Sequence, residues 1–92
     1  MTTQSEGQAE RRELGRFIVT DPAICHGQLT FRGTRILVKL VLEQVAMGLS
    51  WDAIVAEWRG AVTREAIAEA VRLASEALAA HKDDLALEPA GA

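Results

Sequence analysis

Cys25 and His26 are neighbours. A thiol beside an imidazole is the pairing that activates a sulfur nucleophile. Adjacent residues rarely aim both side chains at one point, and no third group is evident to orient the imidazole. Cys25 therefore reads as a turn cysteine and His26 as an exposed histidine. A zinc site needs about four ligands, and the other histidine, His81, lies near the end of the chain. The expectation is a non-enzyme with no catalytic residue, no metal site and no cofactor. Glu65 and Glu69 stand one helical turn apart, as an acid–base pair would. Arg72, three residues beyond Glu69, makes a solvated, ion-paired face the simpler reading.

The cations offer a different chemistry. Arg32, Arg35, Lys39, Arg59, Arg64 and Arg72 are spread along the chain, which is the pattern of ordinary solvation. The exception is the segment holding Arg59, Thr63 and Arg64. Thr63 suits a helix N-cap, and the free amides of a helix start favour phosphate. Arg64, one residue on, is placed to read guanine if that helix enters a DNA groove. Trp51 and Trp58 lie seven residues apart on one helical side. One suits the core, and Trp51 is the candidate partner anchor, since tryptophan is favoured in interface hot spots.

The net charge is −3, but it is not evenly distributed. Residues 1–15 carry a net −1 and residues 81–92 a net −2, whereas 16–80 is neutral. A neutral centre permits nucleic-acid binding without indicating it. No apolar run is long enough to span a bilayer, and the polar first residues lack the apolar stretch of a signal peptide. A single cysteine suits a reducing compartment. The expectation is a cytoplasmic protein.

These residues need elements to hold them. Residues 1–15 read as a mobile tail and 81–92 as an acidic, frayed tail; 16–80 is the folded unit. Phe17–Thr20 and Leu29–Phe31 are β-prone, with Asp21-Pro22 and Gly27 as turn signals between them. They predict a short hairpin, which is marginal in water without a surface to lie on. From Ile36 the apolar spacing becomes helical, through Leu37, Leu40, Val41 and Val45, with Gly48 as the stop. Ser50 caps a second helix carrying Trp51, Ile54, Val55 and Trp58, and Gly60 ends it. Thr63 caps a third, whose buried stripe is expected to be Ile67, Val71, Ala74 and Leu78. Glu69 is placed on the opposite, solvated face. The fold expected is mainly α: a short N-terminal β-hairpin followed by a trihelical bundle, of which helix-turn-helix is one version.

The run Asp21-Pro22-Ala23-Ile24-Cys25-His26-Gly27-Gln28, then Phe31-Arg32-Gly33-Thr34-Arg35-Ile36, resembles domain-of-unknown-function family 433. Met47-Gly48-Leu49-Ser50-Trp51-Asp52-Ala53-Ile54 and Val62-Thr63-Arg64-Glu65-Ala66-Ile67 extend the resemblance along the chain. That family is similar to homeodomain-like helix-turn-helix proteins. The resemblance implies a VapB-like antitoxin paired with a PIN-like nuclease toxin. Within the motif, Gly33 permits a sharp exit from the strand and Thr34 can bond nearby backbone. Arg35 offers donors that either clamp the hairpin to the helices or meet a phosphate.

Two functions follow as expectations. One is an antitoxin that binds operator DNA as a homodimer and neutralises the nuclease. The other is a protein-interaction module or adaptor that never touches DNA. The neutral core favours the second, and so does the acidic C-terminal segment. That segment carries apolar Leu85 and Leu87 and could lie across a basic nuclease surface.

Overall fold

The computed structural model describes residues 10–87 of the chain. Most of the expected N-terminal tail, and the acidic segment from Glu88 onward, lie outside the described residues. A small antiparallel sheet is followed by helices, so the fold is mainly α with a minor β part.

The sheet has one strand more than the expected hairpin. Strands β1 (Arg12–Glu13), β2 (Ile18–Thr20) and β3 (Thr30–Phe31) lie in that order. Arg12 pairs with Thr20, and Ile18 with Phe31. Folded structure thus begins before residue 16, because β1 satisfies the β2 edge that a two-stranded hairpin leaves open. Between β2 and β3, the Asp21 carboxylate accepts from the Ala23 amide at 2.9 Å. The 3₁₀ turn Cys25–Gly27 then closes the connection, with all three residues in the left-handed region.

Helices α1 (Val38–Ala46), α2 (Trp51–Glu57) and α3 (Arg64–Ala80) form the expected trihelical unit. Ser50 and Thr63 are the N-caps, accepting from the amides of Ala53 and Ala66 at 3.1 Å each. A short turn, α4 (Lys82–Leu85), extends the chain beyond the point where fraying was expected. No helix is long and apolar enough to cross a membrane among the described residues.

Ile18, Phe31, Val38, Val41, Ile54, Val62, Ala66, Ile67 and Ala70 are buried together. The sheet therefore rests on the helices, which is the surface a marginal strand pair needs. Ile67 is fully buried, as expected, but Val71 is only half-buried and Leu78 is 59% exposed. Ala74 is exposed too. The apolar stripe of α3 continues past Leu73, but the elements that could cover it do not. In α1, Leu40 is 40% exposed while Val38 and Val41 face inward. Thr30 is buried in β3, and its hydroxyl has no hydrogen-bond partner among the described residues.

Candidate functional site

Two clusters of charge stand out, and they differ in character. The first joins the sheet to α3. Glu69, expected on a solvated face, is 8% exposed. Its carboxylate accepts the backbone amides of Arg16 at 2.8 Å and Phe17 at 2.7 Å. Arg72 approaches the same group at 3.8 Å. A buried carboxylate persists only when its lone pairs are met, and two amides plus a guanidinium meet them. A Cβ on Gly15 would fall 2.5 Å from this carboxyl group, so a side chain there would have to push the carboxylate off its amides.

Arg32 completes this junction. Its Nε donates to the Arg16 carbonyl at 2.7 Å, and its other nitrogens reach Glu13 at 2.8 Å and the Gly15 carbonyl at 3.3 Å. The hydrogen bond from Arg32, and then its charge, hold the Glu13 carboxyl below its ordinary pKa. The clamp expected of Arg35 between hairpin and helices is made instead by Glu69, while Arg32 ties the end of β3 to the β1–β2 turn. Arg35 is exposed, and its side chain makes no hydrogen bond or ion pair among the described residues; its carbonyl accepts from Cys25 Sγ at 3.5 Å. The reason lies in the turn. Gly33, at φ +76°, and Thr34 reverse the chain between the two arginines, so they leave in different directions. Thr34 behaves as expected: its hydroxyl donates to the Phe31 carbonyl at 2.8 Å and accepts from the Ile36 amide at 2.9 Å.

The second cluster joins the start of α2 to the start of α3. The Arg64 guanidinium meets Asp52 at 2.7 Å and sits 5.6 Å from the centre of the Trp51 ring. Both charged side chains are well exposed, at 57% and 85%. Trp51 is half-buried and packed against the core edge. Trp58 takes the more structural position, donating from Nε1 to Gln44 of α1 at 2.8 Å. Thr63 spends its hydroxyl oxygen on the cap. Arg59, Thr63 and Arg64, each a separate candidate for DNA, are all exposed, but the Arg64 guanidinium turns back to the start of α2 while Arg59 follows its end.

The α2–α3 turn holds a conformational cost. Helix α1 ends with the Gly48 amide bonded to Val45 and the Leu49 amide bonded to Gln44, and Gly48 takes φ +90°. Helix α2 ends the same way, with the Arg59 amide bonded to Ala56 and the Gly60 amide to Val55. Here the position equivalent to Gly48 is held by Arg59, at φ +55°, and Gly60 after it is left-handed too, at φ +80°. Glycine takes that conformation freely, whereas a residue with a Cβ incurs about 1 kcal/mol there.

Cys25 is half-buried and His26 exposed, in the turn roles expected of them. Leu85 and Leu87 are 56% and 90% exposed. The described residues hold no cluster of three metal-ligating side chains. Sequence reasoning missed Glu69, although a signal existed. At about 100° per residue, Glu69 lies only about 60° around the helix from Ala66, at the border of the apolar face. Arg32 and Glu13 carried no such signal.

Comparison with curated proteins and with solved structures finds no match. A family model described as "Protein of unknown function (DUF433)" matches residues 18–74. That span runs from β2 into α3 and contains Arg32, Glu69 and the α2–α3 turn, whereas Glu13, Gly15 and Arg16 precede it. The chain belongs to the DUF433 family.

Proposed function

We propose that the chain is an antitoxin-type repressor that binds operator DNA as a homodimer and neutralises a PIN-like nuclease. The observation that carries the DNA-binding half is Arg59. It occupies a left-handed position that glycine fills without cost, as Gly48 does at the equivalent end of α1. Strain retained at an exposed cation points to a use for the cation. Arg59 stands beside the start of α3, where amides and Arg64 also suit phosphate or a base edge. The toxin-binding half draws support from the C-terminal segment, where exposed Leu85 and Leu87 adjoin acidic Asp83 and Asp84. Acidic groups around apolar ones complement a basic nuclease surface.

A second reading, an interaction module without DNA binding, is favoured by the Asp52–Arg64 pair at 2.7 Å. A phosphate must displace this carboxylate or tolerate it.

A gel-shift titration on the DNA upstream of the gene, with and without the toxin partner, decides between the two. Arg59→Gly is the sharp variant, because it relieves strain and keeps the fold. It is expected to weaken binding. With each subunit neutralising one phosphate fewer, the log–log salt slope should flatten by about 2. Wild-type protein that fails to bind at low salt under both conditions overturns the repressor reading in favour of the interaction module.

A further inference from the structure

An apolar hollow lies between the β2–β3 connection and α1. It is a groove of about 620 Å³, walled on one side by Leu29 and on the other by Leu37, Leu42 and Ala46 of α1 and its N-cap. A smaller hollow of about 150 Å³ shares Leu29, Val38 and Leu42 with it, and carries the apolar surface on to Leu14 and Leu73. Leu14 and Leu29 remain 45% and 40% exposed. A continuous apolar surface of this kind marks an interaction site.

The charges beside the groove specify its occupant. Lys39, Leu42, Glu43 and Ala46 fall at the spacing that forms one stripe along a helix, and all four line the groove. Lys39 and Glu43 are exposed, and neither takes part in an ion pair among the described residues. They stand four residues apart in the order Lys before Glu, the weaker orientation for pairing within a helix. A stripe with one cation, one anion and leucine between them is complementary to itself when reversed. We infer that the α1 groove is filled by α1 of a second copy, the two helices antiparallel about a two-fold axis, with Lys39 against the partner's Glu43 and Glu43 against the partner's Lys39.

In that register the axis passes at the level of Val41, and the Leu42 of each helix, one residue away, packs against its own copy with an offset of about 3 Å along the helix. The two ion pairs form at the rim, where charges set register and exclude wrong arrangements. Closed two-fold dimers use one patch twice in this way. The inference rests on the homodimer of the proposed function and gives it a face. It also leaves the α2–α3 turn of each subunit free.

The test is sedimentation equilibrium of the full chain at low ionic strength, with circular dichroism confirming the fold. Wild type is expected to dimerise. Lys39→Glu alone and Glu43→Lys alone each set like charges together twice per dimer, and each is expected to weaken association about tenfold or more. An equimolar mixture of the two variants restores both pairs across the axis and is expected to recover near wild-type association. A monomeric wild type, unchanged dimerisation of either variant, or a mixture that stays dissociated overturns the inference. The readout needs no DNA and no toxin. A dimer insensitive to both reversals, yet able to shift operator DNA, overturns this face while leaving the repressor reading standing.

Discussion

Glu69 and Asp52 are both carboxylates paired with an arginine on the helical unit, and the fold holds them in opposite ways. Glu69 is 8% exposed and takes two backbone amides as well as Arg72. Asp52 is 85% exposed and meets Arg64 at 2.7 Å across open solvent-facing surface. The chain accommodates Glu69 further, by placing glycine where any side chain would strike it. Around Asp52 the reverse holds. The turn at the other end of α2 keeps Arg59 where glycine would be relaxed. The sheet–α3 junction is built for stability, with its polar groups met by backbone that cannot leave. The helix starts of α2 and α3 hold a solvent-exposed pair, and the turn between those helices holds an arginine where glycine would be relaxed.

The sharpest way to break this contrast is at Glu69. Glu69→Ala leaves two inward amides without an acceptor, and the expected loss is about 3 kcal/mol in urea unfolding. A loss as small as that of an exposed ion pair would mean that the junction is no more structural than the turn.

Arg32→Ala removes the donors to two carbonyls and to Glu13, and is expected to lower the melting temperature, by less than Glu69→Ala does. Arg35→Ala should leave the melting temperature unchanged. The Arg32 effect also has a pH signature. Arg32 depresses the Glu13 pKa in the folded state, so the stability linked to this pair is present above the unfolded pKa of about 4.5. It is lost as the pH falls from there through the folded value. The gap between wild type and Arg32→Ala should therefore narrow as acid is added below that point, in parallel urea titrations.

Arg59→Gly tests the other side of the contrast, because it should raise stability, by about 0.5–1 kcal/mol. A destabilised variant would show that the arginine is held by its neighbours rather than against strain. Asp52→Ala has the smallest expected effect on unfolding, under about 0.5 kcal/mol, since exposed ion pairs contribute little. Where the DNA reading holds, the same change frees Arg64 and tightens operator binding. Unaltered binding would remove Arg64 from the interface.

Local signals in the sequence were sufficient for the helices and their ends. Ser50 and Thr63 cap as their type and position dictate, Gly48 closes α1, and the matched family span lies within the segment read as folded. These features depend on residues within one turn of each other, so the sequence order alone carries them. The helix ends that carry the candidate residues Arg59, Thr63 and Arg64 were legible in the same way, but the pairing of Arg64 with Asp52 was not. What the sequence could not decide was which partner arrives from far along the chain. Glu69 is buried because Arg16 and Phe17 bring their amides to it across more than fifty positions. Leu78 is exposed because no described element reaches it. Arg32, not Arg35, faces the Arg16 carbonyl because the turn at Gly33 aims one and not the other. Periodicity fixes the face a side chain leaves from. Whether that face meets backbone, another helix or water is settled only when the elements are assembled, because burial and hydrogen bonding depend on the group that arrives.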